Sequence, residues 1–209
     1  MVRIYGDCLS GNCYKLKLVT ELLGTPHAWK FVTWTDGGTR TDEFLSRVNP
    51  AGKVPVLETS KGEMIPESGA ALYYLARDSH LWPDRESDRA QVLRWMFFEQ
   101  YSHEPYLAVS HSIRKNITKL DDPETKLAEL YPNGIKALEA MEAHLAKNDW
   151  FVAGAPTIAD IALYPYTATA PHAGFELDDY PHVVAWIGRM ERLLGFLSMD
   201  EAIAQTTPA

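Results

Sequence analysis

The chain has 209 residues, with 28 acidic against 20 basic side chains and a formal charge of −8 when histidines are neutral. A hydrophobic share of 46% beside 23% charged residues describes a folded chain with a sizeable core, which excludes disorder and low complexity. The acidic balance opposes binding to nucleic-acid phosphates, and the length suits one large domain or two small ones.

Residues 2–5 read as a strand. After a turn at residues 6–11, Leu16, Val19 and Leu23 recur at helical spacing, with Leu18 and Leu22 beside them, and Gly24 ends the helix. Residues 28–33 read as a second strand, broken by Gly37 and Gly38. Thr41 is placed to cap a short helix through Arg47, and Asn49-Pro50-Ala51-Gly52 forms a turn. Two short strands at 54–58 and 63–65 precede a third helix with Ser68, Leu72 and Leu75 on its period. This alternation predicts a mixed α/β half over residues 1–78.

Residues 79–86 carry a proline and polar side chains without apolar period and read as a linker. Everything from 87 to 209 reads as helical. One stripe runs through Leu127, Leu130, Gly134, Leu138, Met141 and Leu145, and another through Val183, Ile187, Met190 and Leu194. The final residues, AIAQTTPA, read as a frayed tail.

No apolar run approaches the roughly 20 residues that span a bilayer. The opening MVRIYGDCLSGN lacks the apolar region of a signal peptide, so a cytoplasmic location with no membrane partner is expected. The only cysteines, Cys8 and Cys13, fit neither a disulfide framework nor a zinc site, and reduced thiols are expected. The seven histidines show no metal-binding spacing, so no metal is expected.

Three local features bear on chemistry. Pro55 interrupts the apolar run Val54-Pro55-Val56-Leu57, as either an ordinary edge-strand proline or a cis peptide that turns the Val54 main chain outward toward an extended peptide ligand. Pro66-Glu67-Ser68 sits at a helix start, as a plain cap or as part of an anion site. Ser10, before the first helix, is likewise a capping serine or a hydrogen-bond donor into a cleft, with no Gly-x-Ser-x-Gly elbow around it. Thr157-Ile158-Ala159-Asp160 has the spacing of a capping box, which makes Asp160 structural.

LSGNC at residues 9–13, NPAGKVPVLE at 49–58, PESGAALYYLA at 66–76 and PTIADIALYPY at 156–166, taken together and in this order, resemble the glutathione transferase superfamily. The likeness spans nearly the whole chain and looks like a bacterial, theta-like or beta-like member of serine type. It implies a thioredoxin-like domain at 1–78, a linker at 79–86 and an all-helical domain at 87–209, and it favours the cis form of Val54-Pro55. It implies glutathione as co-substrate: Val54 pairs through its backbone with the cysteinyl unit, Glu67 and Ser68 hold the γ-glutamyl carboxylate, and Arg40 and Lys53 meet the glycine carboxylate.

By the same resemblance, Ser10 activates the thiol, with Asn12 helping or replacing it as in members with disulfide reductase activity. Tyr5 lies one or two residues from where tyrosine-type members carry their hydroxyl, and Cys8 and Cys13 flank the beta-type cysteine position. The implied reaction is attack of glutathione thiolate on a small hydrophobic electrophile. The alternatives are a glutathione-dependent disulfide reductase or peroxidase, and a non-catalytic binding or regulatory relative. An acceptor site is expected between the domains, with candidate linings Tyr101, His103, Tyr106, His111 and Arg114. A homodimer is expected, with His103 or Glu104 reaching the γ-glutamyl amine from the neighbouring chain.

Overall fold

In the computed structural model, which describes residues 1–208, the chain opens with strand β1 (Val2–Gly6), helix α1 (Gly11–Leu22) and strand β2 (His27–Phe31), and β2 runs parallel to β1 from Val2 opposite His27 to Gly6 opposite Phe31. A parallel pair needs such a crossover, and α1 supplies it. Gly24 ends the turn after α1 in the left-handed conformation (φ 58°), and the Thr25 amide donates to Thr20 O at 2.8 Å. A 3-10 turn at Gly38–Arg40 leads into α2 (Asp42–Arg47), which is capped by Thr41 Oγ1 accepting from the Phe44 amide.

Strands β3 (Val56–Glu58) and β4 (Met64–Pro66) complete a four-stranded sheet of order β2-β1-β3-β4, with β3 antiparallel to both neighbours. The ladder starts one residue after Pro55, which has no amide to give, instead of at Val54. Helix α3 (Ser68–Ala76) follows. Ile4 and Leu57 on the sheet, Leu16, Leu18 and Val19 on α1, and Ala71, Leu72 and Ala76 on α3 are all fully buried. Each large side chain among them contributes about 1.5–3 kcal/mol of transfer free energy.

The chain divides into two units: Met1–Trp82 together with the chain from Leu193 onward, and Pro83–Arg192. The second unit is helical: α4 (Glu86–Phe98), a π turn at Glu99–His103, α5 (Glu104–Arg114), α6 (Pro123–Leu145), α7 (Ile158–Ala168) and α8 (Pro181–Met190). Asp160, completely buried, accepts from the Thr157 amide and hydroxyl, the Phe151 amide and Trp186 Nε1, at 2.9–3.2 Å. It closes the capping box and ties the 151 loop and α8 to α7, while burial pushes its pKa up to about 6. Trp95, Phe151 and Trp186 pack edge to face around this anchor.

Two sequence expectations fail at the end of the chain. The apolar stripe of α8 stops at Met190, because the chain turns at Gly195 (φ 85°) and leaves Leu194 97% exposed. The tail is not frayed: α9 (Met199–Thr206) forms behind a Ser198–Glu201 capping box, buries Ala202 and Thr206, and belongs with the amino-terminal unit rather than with the helical domain assigned to 87–209. Among the described residues, no helix is long and apolar enough to cross a membrane.

Candidate functional site

Strand register brings the site together. Tyr5 lies opposite Val56, and Val56 opposite Pro66. The chain therefore leaves β1, enters β3 and leaves β4 at the same end of the sheet, so that Ser10, Val54-Pro55 and Glu67-Ser68 converge there although 58 positions separate the first from the last. The Val54-Pro55 bond is cis, and Val54, half-buried, stands outside the ladder.

Ser10 is the N-cap residue of α1, yet its side chain makes no capping hydrogen bond, so the plain capping role does not hold. Its amide donates to Asp7 O at 2.9 Å, and the Leu9 amide donates to Asp7 Oδ1 at 2.9 Å, which fixes the loop that presents it. The hydroxyl is half-exposed and within reach of the buried Cys13 thiol, whose pKa burial drives up strongly. Cys8, also buried, is pushed up to about 11. Burial disfavours the thiolate of both, which suits packing roles better than nucleophilic ones. Gly6 is required beside them, since a Cβ there would sit 2.8 Å from Cys13 Sγ.

Helix α3 starts in the same way. Its N-cap residue, Glu67, is held at φ 71° and ψ 118°, a region costly for a side-chain-bearing residue, and neither Glu67 nor Ser68 caps the helix. The Ser68 hydroxyl instead donates to Asn12 Oδ1 at 3.3 Å, joining the starts of α1 and α3. Asn12 Oδ1 also accepts from Lys15 Nζ at 2.7 Å. Lys15 is completely buried, a rare state for lysine, and it adds a cation to the positive end of α1. Lys15 was not a sequence candidate, although Asn12-x-x-Lys15 is the spacing that lets two helix neighbours touch.

Asn49 shapes the loop before Pro55: its Nδ2 donates to Lys53 O at 2.9 Å and its Oδ1 accepts from the Ala51 amide at 3.0 Å. Gly52 is left-handed (φ 63°), and a Cβ there would lie 2.5 Å from Arg40 Nη1. The guanidinium thus packs on the loop that carries Lys53, and both cations are exposed. The Tyr5 hydroxyl is engaged elsewhere: it donates to Glu58 Oε2 at 2.9 Å beside the Arg3–Glu58 ion pair.

The helical unit corrects part of the acceptor assignment. His103 is fully buried, its Nε2 donating at 2.9 Å to the Thr167 hydroxyl, whose own proton goes to Leu163 O. It is a core residue, and it neither lines an acceptor site nor is accessible to a neighbouring chain. Tyr101 stands 82% exposed, and Arg114 Nε donates to Ala173 O at 3.0 Å. Tyr106 and His111 are half-buried on α5, and burial together with Lys115 and His172 lowers the His111 pKa.

Comparison with known proteins gives a consistent picture. The family model described as the N-terminal domain of glutathione S-transferase matches residues 9–78, and that of the C-terminal domain matches 95–193. A glutathione S-transferase structure from Pseudomonas fluorescens Pf-5 is 43% identical with a TM-score of 0.91, covering 95% of this chain and 98% of that one. Another, from Xanthobacter autotrophicus Py2, is 38% identical with a TM-score of 0.89, covering 98% of this chain and all of the other. The transcriptional regulator URE2 of Saccharomyces cerevisiae is 25% identical over 221 residues, covering 87% of this chain. The chain spans 62% of the length of that protein and of its Candida glabrata relative.

Proposed function

The chain belongs to the glutathione S-transferase family, and from that premise we propose that it binds glutathione at the joined starts of α1 and α3 and directs its thiolate at small hydrophobic electrophiles. The observation that carries this reading is the Ser68–Asn12 hydrogen bond beside a Ser10 hydroxyl that no capping role consumes. Two helix starts without side-chain caps, a buried lysine and two exposed cations suit an anionic peptide in a protein of net negative charge.

In this reading, Ser68 and the first amides of α3 receive the γ-glutamyl carboxylate, with Glu67 facing its ammonium. The Val54 main chain pairs with the cysteinyl unit, and Arg40 and Lys53 meet the glycine carboxylate. Ser10 donates to the sulfur. A thiol of pKa about 8.5 is only about 3% ionised at pH 7. A downward shift of two units requires about 2.7 kcal/mol, within the sum of one charge-assisted hydrogen bond at about 1.5–3 and a helix-end contribution of about 0.3–1. Tyr106, His111 and Arg114 remain the acceptor candidates. Leu93, Phe97 and Tyr101, spaced by four and exposed on α4 and the following turn, support a homodimer as part of the same reading.

Purified protein assayed with glutathione and chlorodinitrobenzene, epoxide or disulfide acceptors tests the proposal. Turnover with the first two supports it, and preferential disulfide reduction moves the assignment to Asn12. The name of the yeast relative motivates one further reading, a non-catalytic regulator. Glutathione binding in calorimetry without turnover of any acceptor would favour that reading over transfer.

A further inference from the structure

Between the starts of α1 and α3 lies one oxygen with two donors aimed at it. Asn12 Oδ1 accepts from Lys15 Nζ at 2.7 Å and from the Ser68 hydroxyl at 3.3 Å. An amide oxygen has two lone pairs, so both are taken. An ammonium only donates, and this fixes the amide: its oxygen faces Lys15 and Ser68, and its NH2 group lies on the other side. Lys15 is completely buried and Ser68 nearly so, while Asn12 is half-buried, so neither donor has water as a ready alternative.

The two bonds are unequal. The Lys15 contact has the length of a charge-assisted hydrogen bond, whereas 3.3 Å exceeds the ordinary O–H···O range of about 2.5–3.0 Å. Ser68 is therefore the donor that yields. A hydroxyl carries one proton, and Ser68 gives it to Asn12, although the glutathione reading asks it to meet the γ-glutamyl carboxylate. Turning toward a ligand strips Asn12 Oδ1 of one donor, and Lys15 remains as the other. The Lys15–Asn12 bond lies within α1, one helical turn apart, and is in place before any ligand arrives.

We propose that Lys15 is a positioning residue for glutathione: its ammonium keeps Asn12 Oδ1 partnered, so that the Ser68 hydroxyl is free to turn its proton from Asn12 to the γ-glutamyl carboxylate. This deepens the glutathione reading and rests on it for the identity of the carboxylate. No proton changes owner; one hydrogen bond replaces another. Without the Lys15 ammonium, the Ser68 proton is drawn more strongly to Asn12, and ligand binding has to break a bond to an acceptor that has lost its stronger donor.

Calorimetry with S-methylglutathione, whose sulfur carries no ionisable proton, tests this on the full chain. The forms are wild type, Lys15→Met, which keeps the length and removes the ammonium, Ser68→Ala, these two changes together, and Lys15→Met combined with Asn12→Ala. Lys15→Met and Ser68→Ala are each expected to weaken binding about tenfold, and the two together also about tenfold, because the second change removes what the first has already disabled. Lys15→Met with Asn12→Ala takes away acceptor and donor at once, and affinity returns to within about threefold of wild type. Lost packing or lost charge attraction does not give that recovery, and this form decides the matter if Lys15→Met alone does not fold. Unchanged binding in Lys15→Met, losses that add to about a hundredfold in the Lys15 and Ser68 pair, or no recovery with Asn12→Ala would overturn the proposal. Wild type that binds neither S-methylglutathione nor glutathione overturns the glutathione reading and the positioning role with it, whereas a failed cycle on a wild type that binds overturns the positioning role alone.

Discussion

The starts of α1 and α7 present the same problem in backbone chemistry and answer it oppositely. Both leave amides without helical partners. At α7, Thr157 and Asp160 satisfy them with their own side chains, and Asp160 adds bonds to Phe151 and Trp186, so the end is sealed. At α1, Ser10 occupies the cap position and caps nothing, and at α3 Glu67 does the same in a strained conformation. Helices α2, α6 and α9 are closed by Thr41, Asp122 and Ser198, and α8 by Glu142 reaching from α6. Helices α4 and α5 also begin without a side-chain cap, at Arg85 and His103, whereas a side-chain bond joins the starts of α1 and α3. In the proposed reading the uncapped pair at α1 and α3 serves binding, while the over-capped start of α7 serves structure.

Breaking the sealed end is expected to have the largest effect. Asp160→Ala leaves four buried donors without an acceptor and is expected to cost about 3–5 kcal/mol of stability, read as a lower urea midpoint at unchanged m-value. Breaking the open end acts on binding instead. Ser68→Ala is expected to weaken glutathione binding about tenfold or more in calorimetry while moving the melting temperature little. Gly52→Ala forces a side chain into a left-handed position and into Arg40, and about 1 kcal/mol of stability together with a several-fold loss of glutathione affinity is expected.

The smallest effect separates the two kinds of helix start by pH. Burial alone would raise the Glu142 pKa, but the Val183 and His182 amides and the His182 side chain outweigh it and hold it below the ordinary value. A carboxylate whose pKa falls on folding stabilises above its unfolded pKa and ceases to do so as pH falls through the folded value. Wild type should therefore lose its advantage over Glu142→Gln below about pH 4.5, by no more than about 1 kcal/mol after solvent screening, in paired thermal melts across pH.

Local rules made the sealed ends legible. Thr157-x-x-Asp160 is a spacing within one turn, and the structure realises it. The same rule holds for Ser198-x-x-Glu201, yet the tail reads as frayed because its burial comes from α1, far away in sequence. Motif order brought Asn12 and Ser68 into view as candidates, but the bond between them depends on a strand register that no window of sequence contains. Lys15 reads as a solvent-facing charge until α1 is packed, and His103 reads as an accessible imidazole until Thr167, 64 positions later, takes its Nε2. The clearance Arg40 needs at Gly52 is likewise a property of two loops meeting.

The central claim is that the Ser10 hydroxyl, which caps no helix, stabilises a thiolate, and the most direct measurement is ultraviolet titration of glutathione bound to wild type and to Ser10→Ala. Removing a single charge-assisted hydrogen bond should raise the bound thiol pKa by about 1–2 units while leaving glutathione affinity at low pH nearly unchanged. A pKa identical in the two proteins would contradict the account and transfer the role to Asn12 or to the α1 amides.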